Sequence, residues 1–341
     1  MLAPGGEWAD AAAAPPPPID RLPLSSSHII YPNGANALTG IGYKVASVCF
    51  FVAMATLLKA SPGVPTGQLV FFRSFFAILP VVVYLAWRRE LLVGLKTERP
   101  MSHIWRGLIG TGGMGFGFFA LTQLPLPEAT AIQYATPLLI VVFSAVFLGE
   151  TVRLYRWSAV LVGLVGVLII IWPRLTVFSG GLENAPGATL GAISALVSCC
   201  FAATAMILVR RLVFTERSAT IVLYFSVSSS LYGLLTIPFG WVAPSFEQWF
   251  FLIGAGVAGG IGQILLTESY RHADMSVVAP FEYTSLILTF AIGYLVFADV
   301  PTVQMAVGGV IVVGAGIFIV WREHRLGLDR KKASEASTPQ G

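Results

Sequence analysis

Trp105–Leu121 reads WRGLIGTGGMGFGFFAL, and Trp249–Leu265 reads WFFLIGAGVAGGIGQIL. Set one over the other, Trp105/Trp249, Leu108/Leu252, Ile109/Ile253, Gly110/Gly254, Gly112/Gly256, Gly115/Gly259 and Leu121/Leu265 coincide at an offset of 144. Further on the match resumes at an offset of 149, where Tyr134 faces Tyr283, Glu150-Thr151 faces Asp299-Val300 and Trp172 faces Trp321. A period this long means that one architectural unit is used twice.

Each copy is built from apolar runs. A helix that spans a bilayer needs about 20 mostly apolar residues. Ten such runs are predicted, at 37–59, 66–87, 103–121, 128–148, 155–172, 187–209, 219–239, 248–267, 275–297 and 302–321. The runs are too long for barrel strands and do not alternate as barrel strands do. The third run then answers to the eighth and the fifth to the tenth. The expected fold is an all-α membrane protein of ten helices, in two five-helix repeats at 37–172 and 187–321. An odd number of spans per repeat inverts the second copy. Secondary transporters are built this way, with the solute site near mid-bilayer between the halves.

Composition agrees. The 341 residues are 56% hydrophobic and 11% charged, with a mean hydropathy of +0.78. Soluble domains carry about 25% charged residues. The net charge of +4 does not indicate nucleic acid, because the basic residues lie between apolar runs. With the N-terminus inside, seventeen of the 21 Lys and Arg fall on the cytoplasmic side, Arg106 among them, and only Lys59 and Arg174 fall outside. That bias puts both termini in the cytoplasm of a protein in the cytoplasmic membrane. Residues 1–36, with Ala11–Ala14, Pro15–Pro18 and Ser25–Ser27, read as a disordered tail, and 322–341 as a basic tail.

Cys49, Cys199 and Cys200 lie within apolar runs and have neither metal nor disulfide spacing. No phosphate-binding loop of the G-x-x-x-x-G-K-[ST] type occurs, so no cofactor or bound nucleotide is expected.

The residues around the repeat boundaries resemble a known family. Pro125–Glu128, Ala131, Thr136-Pro137 and Phe147–Glu150 in the first half are similar to an EamA domain of the drug/metabolite transporter superfamily. So are Val278–Ser285, Phe297–Asp299 and Pro301 in the second. The likeness runs from about residue 40 to residue 321. Phe297-Ala298-Asp299 departs from the Leu-Gly-Glu usual there, although the acidic position is kept. The resemblance implies ten helices, a central cavity and alternating access without ATP hydrolysis. It also implies a small solute such as an amino acid, a vitamin like riboflavin, a nucleotide-like metabolite or a toxic compound. A coupling proton or counter-substrate is compatible with that reading, as is a monomer or homodimer.

Polar groups inside apolar spans are costly and mark candidate sites. Glu282 lies about seven residues into the ninth run, roughly 10 Å deep, two residues after Pro280. Lys44 lies at a similar depth in the first run, so the two are expected to pair unless Lys44 snorkels to the headgroups. Arg73, among Phe71, Phe72, Phe75 and Phe76, is read as an anion-attracting group near the outer mouth or as an interface charge paired with a carboxylate. Gln133 and Tyr134 precede Pro137, and Tyr283 follows Pro280, so each half has a polar segment beside a proline. Gln263 is a lone amide in the eighth run. Glu150 and Asp299 are expected in turns against the start of a neighbouring helix. Against an enzyme stands the lack of an acid or histidine cluster other than the charged turn Glu268, Arg271, His272 and Asp274. A passive channel is the other alternative.

Overall fold

The computed structural model describes residues 37–148, 154–172, 186–213, 215–273, 278, 281–282, 284–300 and 302–337. Among the described residues there are helices and their connections and no strand. Beside a single turn at Leu91–Gly94, the helices are α1 (Ala37–Lys59), α2 (Thr66–Trp87), α3 (Pro100–Gln123), α4 (Leu126–Gln133), α5 (Ala135–Leu148) and α6 (Leu154–Ile171) in the first half. In the second half they are α7 (Pro186–Leu212), α8 (Ser218–Leu234), α9 (Phe246–His272), α10 (Thr284–Phe297) and α11 (Val303–Ser337).

Four segments are long and apolar enough to cross a membrane: Leu38–Lys59, Thr66–Trp87, Gly187–Val209 and Phe246–His272. Shorter apolar helices run over Trp157–Ile170, Ser218–Leu234, Thr284–Phe297 and Val303–Phe318. Leu79, Val83, Leu161, Leu295 and Val310 are more than half exposed, so the outer face is apolar. A continuous apolar exterior suits lipid as the solvent.

Two expected spans are not single helices. The run at 128–148 breaks at Tyr134, which ends α4 and precedes α5. The run at 275–297 has a short 3-10 turn at Phe281-Glu282 before α10. Helix α11 runs on into the basic 322–341 tail as far as Ser337. Residues 1–36, Glu150, Asp274, Pro280 and Tyr283 lie outside the described residues.

The helix pairings can be read from individual contacts. Ser47 of α1 donates to the Gly262 carbonyl of α9 at 2.8 Å, and Ser269 of α9 donates to the Gly40 carbonyl. Residue numbers rise on one helix as they fall on the other, so α1 and α9 are antiparallel. The same holds for α3 and α7. Ser198 donates to the Gly113 carbonyl at 2.7 Å, and a Cβ on Gly191 would meet Gln123 and Leu124. Gly166 and Gly308 likewise pack α6 antiparallel to α11. By contrast α2 runs parallel to α9, since Gly256 faces Phe76 and Gly260 faces Pro80. Parallel too are α3 and α8, through Gly107–Ser228 and Thr111–Ser229. Each pairing therefore has its counterpart in the other half.

These contacts fix the register between the repeats. Ser47–Gly262 and Ser198–Gly113 are the same contact made twice, as are Phe50 Cβ against Gly262 and Phe201 Cβ against Gly113. Gly113 then answers to Gly262, and Gly110 to Gly259, at the offset of 149 that holds later in the chain. The offset of 144 expected for this span is corrected. Glycines recur every one to three residues in both runs, so a glycine-rich helix matches its counterpart at more than one register.

Candidate functional site

Glycine on facing helices lets backbones approach closely. Here it also lets the interior hold polar groups. Lys44, in the second turn of α1, is 2% exposed and forms an ion pair with Glu282. It does not snorkel. Its ammonium lies 5.7 Å from the centre of the Tyr270 ring on α9, a cation–π contact. The Glu282 side chain is 44% exposed, so this carboxylate is the wetter partner.

Glu282 is held by the turn that interrupts the ninth segment. Ser285 Oγ donates to the Glu282 carbonyl at 2.6 Å, a local side-chain bond three residues back along the chain. With its proton committed there, Ser285 Oγ accepts from the Tyr134 hydroxyl at 2.5 Å. The break at Tyr134 in the first half thus touches the break at Glu282 in the second.

Gln133 corresponds to Glu282 at the offset of 149. Its amide donates to Ser198 Oγ on α7 at 3.3 Å, as Glu282 accepts from Lys44 on α1. Each of the two equivalent positions thus reaches the first helix of the other repeat, Gln133 through a neutral hydrogen bond and Glu282 through an ion pair, although Ser198 and Lys44 are not themselves equivalent. Gln263 is half-buried in α9, and its side chain joins neither contact.

Arg73 does not sit as an interface charge beside a carboxylate. It is 3% exposed, and its Cζ lies 5.6 Å from the centre of the Phe225 ring on α8. Arg106, counted with the cytoplasmic residues above, is 6% exposed, and its Cζ lies 4.0 Å from the same ring. The helix starts at Pro100, a favoured first-turn residue, which puts Arg106 in its second turn, deeper than a run starting at 103 implies. Among the described residues the carboxylates contact other groups. Glu216 accepts from Thr97 Oγ1 at 2.6 Å and from the Glu98 amide at 3.0 Å, and Glu90 pairs with Arg217 at 2.6 Å. Asp299 accepts from the Leu126 amide at 3.3 Å, at the start of α4, as expected for a carboxylate against a helix N-terminus.

The charged turn weighed for an enzyme does not converge. Glu268 and His272 are neighbours on one helix face at 3.8 Å, while Arg271 donates to the Glu216 carbonyl at 3.3 Å. Among the described residues no three His, Cys, Asp or Glu come together as metal ligands.

The EamA-like transporter family matches the chain twice, over residues 38–172 and 189–322. The chain belongs to this family. The two matches are the two repeats. The chain is similar to the pseudopaline exporter of Pseudomonas aeruginosa, 30% identical over 80% of this chain and 92% of the relative. It is also similar to the S-adenosylmethionine uptake transporter of Rickettsia conorii, 26% identical over 87% of this chain and 97% of that one. The riboflavin transporter of Vibrio cholerae is 27% identical over 84% and 92%. A solved crystal structure superposes with a TM-score of 0.61 at 21% identity, over 83% of this chain and 97% of the other. That likeness is one of fold. The relatives named here are metabolite transporters, so the polar interior belongs to a transporter and not to an enzyme.

Of the expected site residues, the structure joins Lys44 to Glu282, Tyr134 to the Glu282 turn through Ser285, and Gln133 to Ser198. Tyr283 lies outside the described residues. Sequence reading missed Tyr270, Ser198, Ser285 and Arg106. Arg106 was within reach, since Pro100 marks the helix start six residues earlier.

Proposed function

We propose that this protein is a secondary transporter that carries a small organic metabolite across the cytoplasmic membrane by alternating access. Ten spans cross the bilayer as two inverted repeats, with both termini cytoplasmic. The observation that carries this reading is the meeting of the two interrupted segments, where Tyr134 reaches Ser285 and Ser285 caps the Glu282 carbonyl. Broken helices facing one another from two repeats place freed backbone groups and polar side chains at one level. That is how transporters of this architecture build a solute site. Lys44, Glu282, Gln133 and Tyr134 are its polar groups, and the half-exposed Glu282 carboxylate is the group able to exchange its Lys44 partner for a solute cation or a coupling proton.

The test is a thermal-shift screen of purified protein, followed by counterflow in proteoliposomes. S-adenosylmethionine, riboflavin and pseudopaline are the first solutes, because relatives carry them. A true ligand stabilises by RT ln(1 + [L]/Kd). The expected result is saturable stabilisation by at least one metabolite, counterflow of that metabolite, and loss of counterflow in Glu282→Gln. A hit that stabilises Glu282→Ala and Tyr134→Ala as well as wild type overturns the site.

A further inference from the structure

Arg73 and Arg106 come from different helices, α2 and α3, and converge on one aromatic ring of a third, α8. The distances to that ring bound the separation of the two guanidiniums at roughly 10 Å. Arg73 Nε, Arg106 Nε and Arg106 Nη1 are buried with no hydrogen-bond partner in the protein. Among the described residues neither guanidinium meets a carboxylate. Ser74 and Ser226, beside Arg73 and Phe225 in sequence, are fully buried and leave their Oγ atoms equally unpartnered.

A guanidinium does not discharge itself by losing a proton. Two of them held in the interior without a counter-charge are a heavy cost to folding. The cost is built in, because the surrounding helices are cut to fit them. A Cβ on Gly259 would stand 2.9 Å from Arg73 Nε, and a Cβ on Gly110 would stand 2.7 Å from the Phe225 ring and collide with Arg106 Nη1. Gly110 and Gly259 are equivalent in the two repeats. Arg73 is roughly 10 Å inside the start of α2 and Arg106 roughly 9 Å inside the start of α3, entering from opposite ends. Their heads therefore meet at mid-depth, far from lipid headgroups.

We propose that Arg73 and Arg106 form an oxyanion subsite at mid-depth, which takes the carboxylate of the transported solute and restricts the protein to organic anions and carboxylate-bearing zwitterions. The subsite rests on the transporter reading and adds a substrate class to it. The planar forks present several N–H donors to a carboxylate, and Phe225 holds both forks in place. Along α9, Tyr270 at the Lys44 pair and Gly259 at Arg73 are eleven residues apart, roughly 16 Å. An extended solute with a cationic end and an anionic end spans that distance between Glu282 and the arginines.

The experiment uses purified full-length protein. Citrate, glutamate and benzoate are titrated by thermal shift, with benzamide as the neutral control, inorganic phosphate as the second oxyanion and sodium chloride at matched ionic strength as the baseline. At least one carboxylate is expected to stabilise wild type saturably beyond chloride, and benzamide is not. Arg73→Gln and Arg106→Gln each weaken that binding at least tenfold, while apo Arg106→Gln melts at or above the wild-type midpoint. Arg106→Lys keeps the charge without the fork and weakens binding less than the glutamine variant does. It serves also where glutamine variants do not fold. Binding of phosphate alone supports the subsite with phosphate esters as its class. The proposal is overturned if no oxyanion exceeds chloride, or if binding survives both glutamine variants. Counterflow separates the two readings: exchange of a solute lacking any oxyanion keeps the transporter and removes the subsite, and carboxylate binding without exchange of any solute does the reverse.

Discussion

Lys44 and Glu282 are 238 residues apart in sequence and form one ion pair, buried on the lysine side and half-exposed on the carboxylate side. That asymmetry gives the two partners unequal consequences. Removing the carboxylate leaves a buried ammonium uncompensated, whereas removing the ammonium leaves a carboxylate that water already reaches. Glu282→Gln is expected to cost about 2 kcal/mol, less than for a fully buried pair because of that water. Lys44→Met should cost under half as much, as measured by thermal unfolding in detergent. Both should reduce counterflow at least tenfold, and the exchange Lys44→Glu with Glu282→Lys should restore part of it. A working single Glu282→Gln would sink the pairing as a functional contact.

Tyr134 and Ser285 connect the two broken segments through a single hydroxyl pair. A buried hydrogen bond contributes about 1 kcal/mol net. Tyr134→Phe and Ser285→Ala should each cost about that much, and the double variant should cost little more than the larger of the two. Additive losses in the double-mutant cycle would show that the two hydroxyls act separately.

The Lys44–Glu282 pair was legible in the sequence because a charge inside an apolar run needs a partner, and depth along a helix can be counted from its end. Arg106 falls inside the predicted run at 103–121 but near its end, where a basic residue reads as one more cytoplasmic interface charge until the earlier helix start at Pro100 sets its depth. The interruption of the fourth segment was half legible. Gln133, Tyr134 and Pro137 marked a polar site, but the break itself comes at Tyr134, and its Ser285 partner lies on a helix 151 residues away. The repeat was visible, but its register was not, because glycine spacing carries too little information until Ser47 and Ser198 show which carbonyls they meet.

The glycines of α3 and α9 do not share one role, and substitution separates them. A Cβ on Gly260 would lie 2.7 Å from the Ala77 carbonyl oxygen and 2.9 Å from its Cα, so backbone would have to move. Overpacking of this kind costs about 1–3 kcal/mol. Gly115 has nothing within 4 Å of where its Cβ would be. Gly260→Ala is expected to lower the melting temperature or prevent expression. Gly115→Ala should be neutral or stabilising by up to about 1 kcal/mol, since alanine is the better helix former. Equal effects at both positions would contradict the α2–α9 contact.

Ala298 stands where the resemblance leads one to expect glycine, and its backbone keeps the glycine conformation, with φ at 54°. The reason lies on either side. Asp299 N donates to the Gly293 carbonyl at 2.9 Å, closing α10, and the Asp299 carboxylate must reach the Leu126 amide. A right-handed residue at 298 would swing that carboxylate away from α4, so the chain accepts a Cβ in the left-handed region at a cost of about 1–2 kcal/mol. Ala298→Gly removes that cost but returns freedom to the unfolded chain, which takes back about 0.4–1 kcal/mol. The net expectation is a gain of about 0.5–1 kcal/mol in thermal unfolding with unchanged counterflow. Ala298→Val, with a branched Cβ in the same conformation, should lose stability, and Asp299→Asn should weaken the tie to α4 without reversing the gain from glycine. A destabilised Ala298→Gly would mean that the Cβ makes a packing contact worth more than the strain it carries.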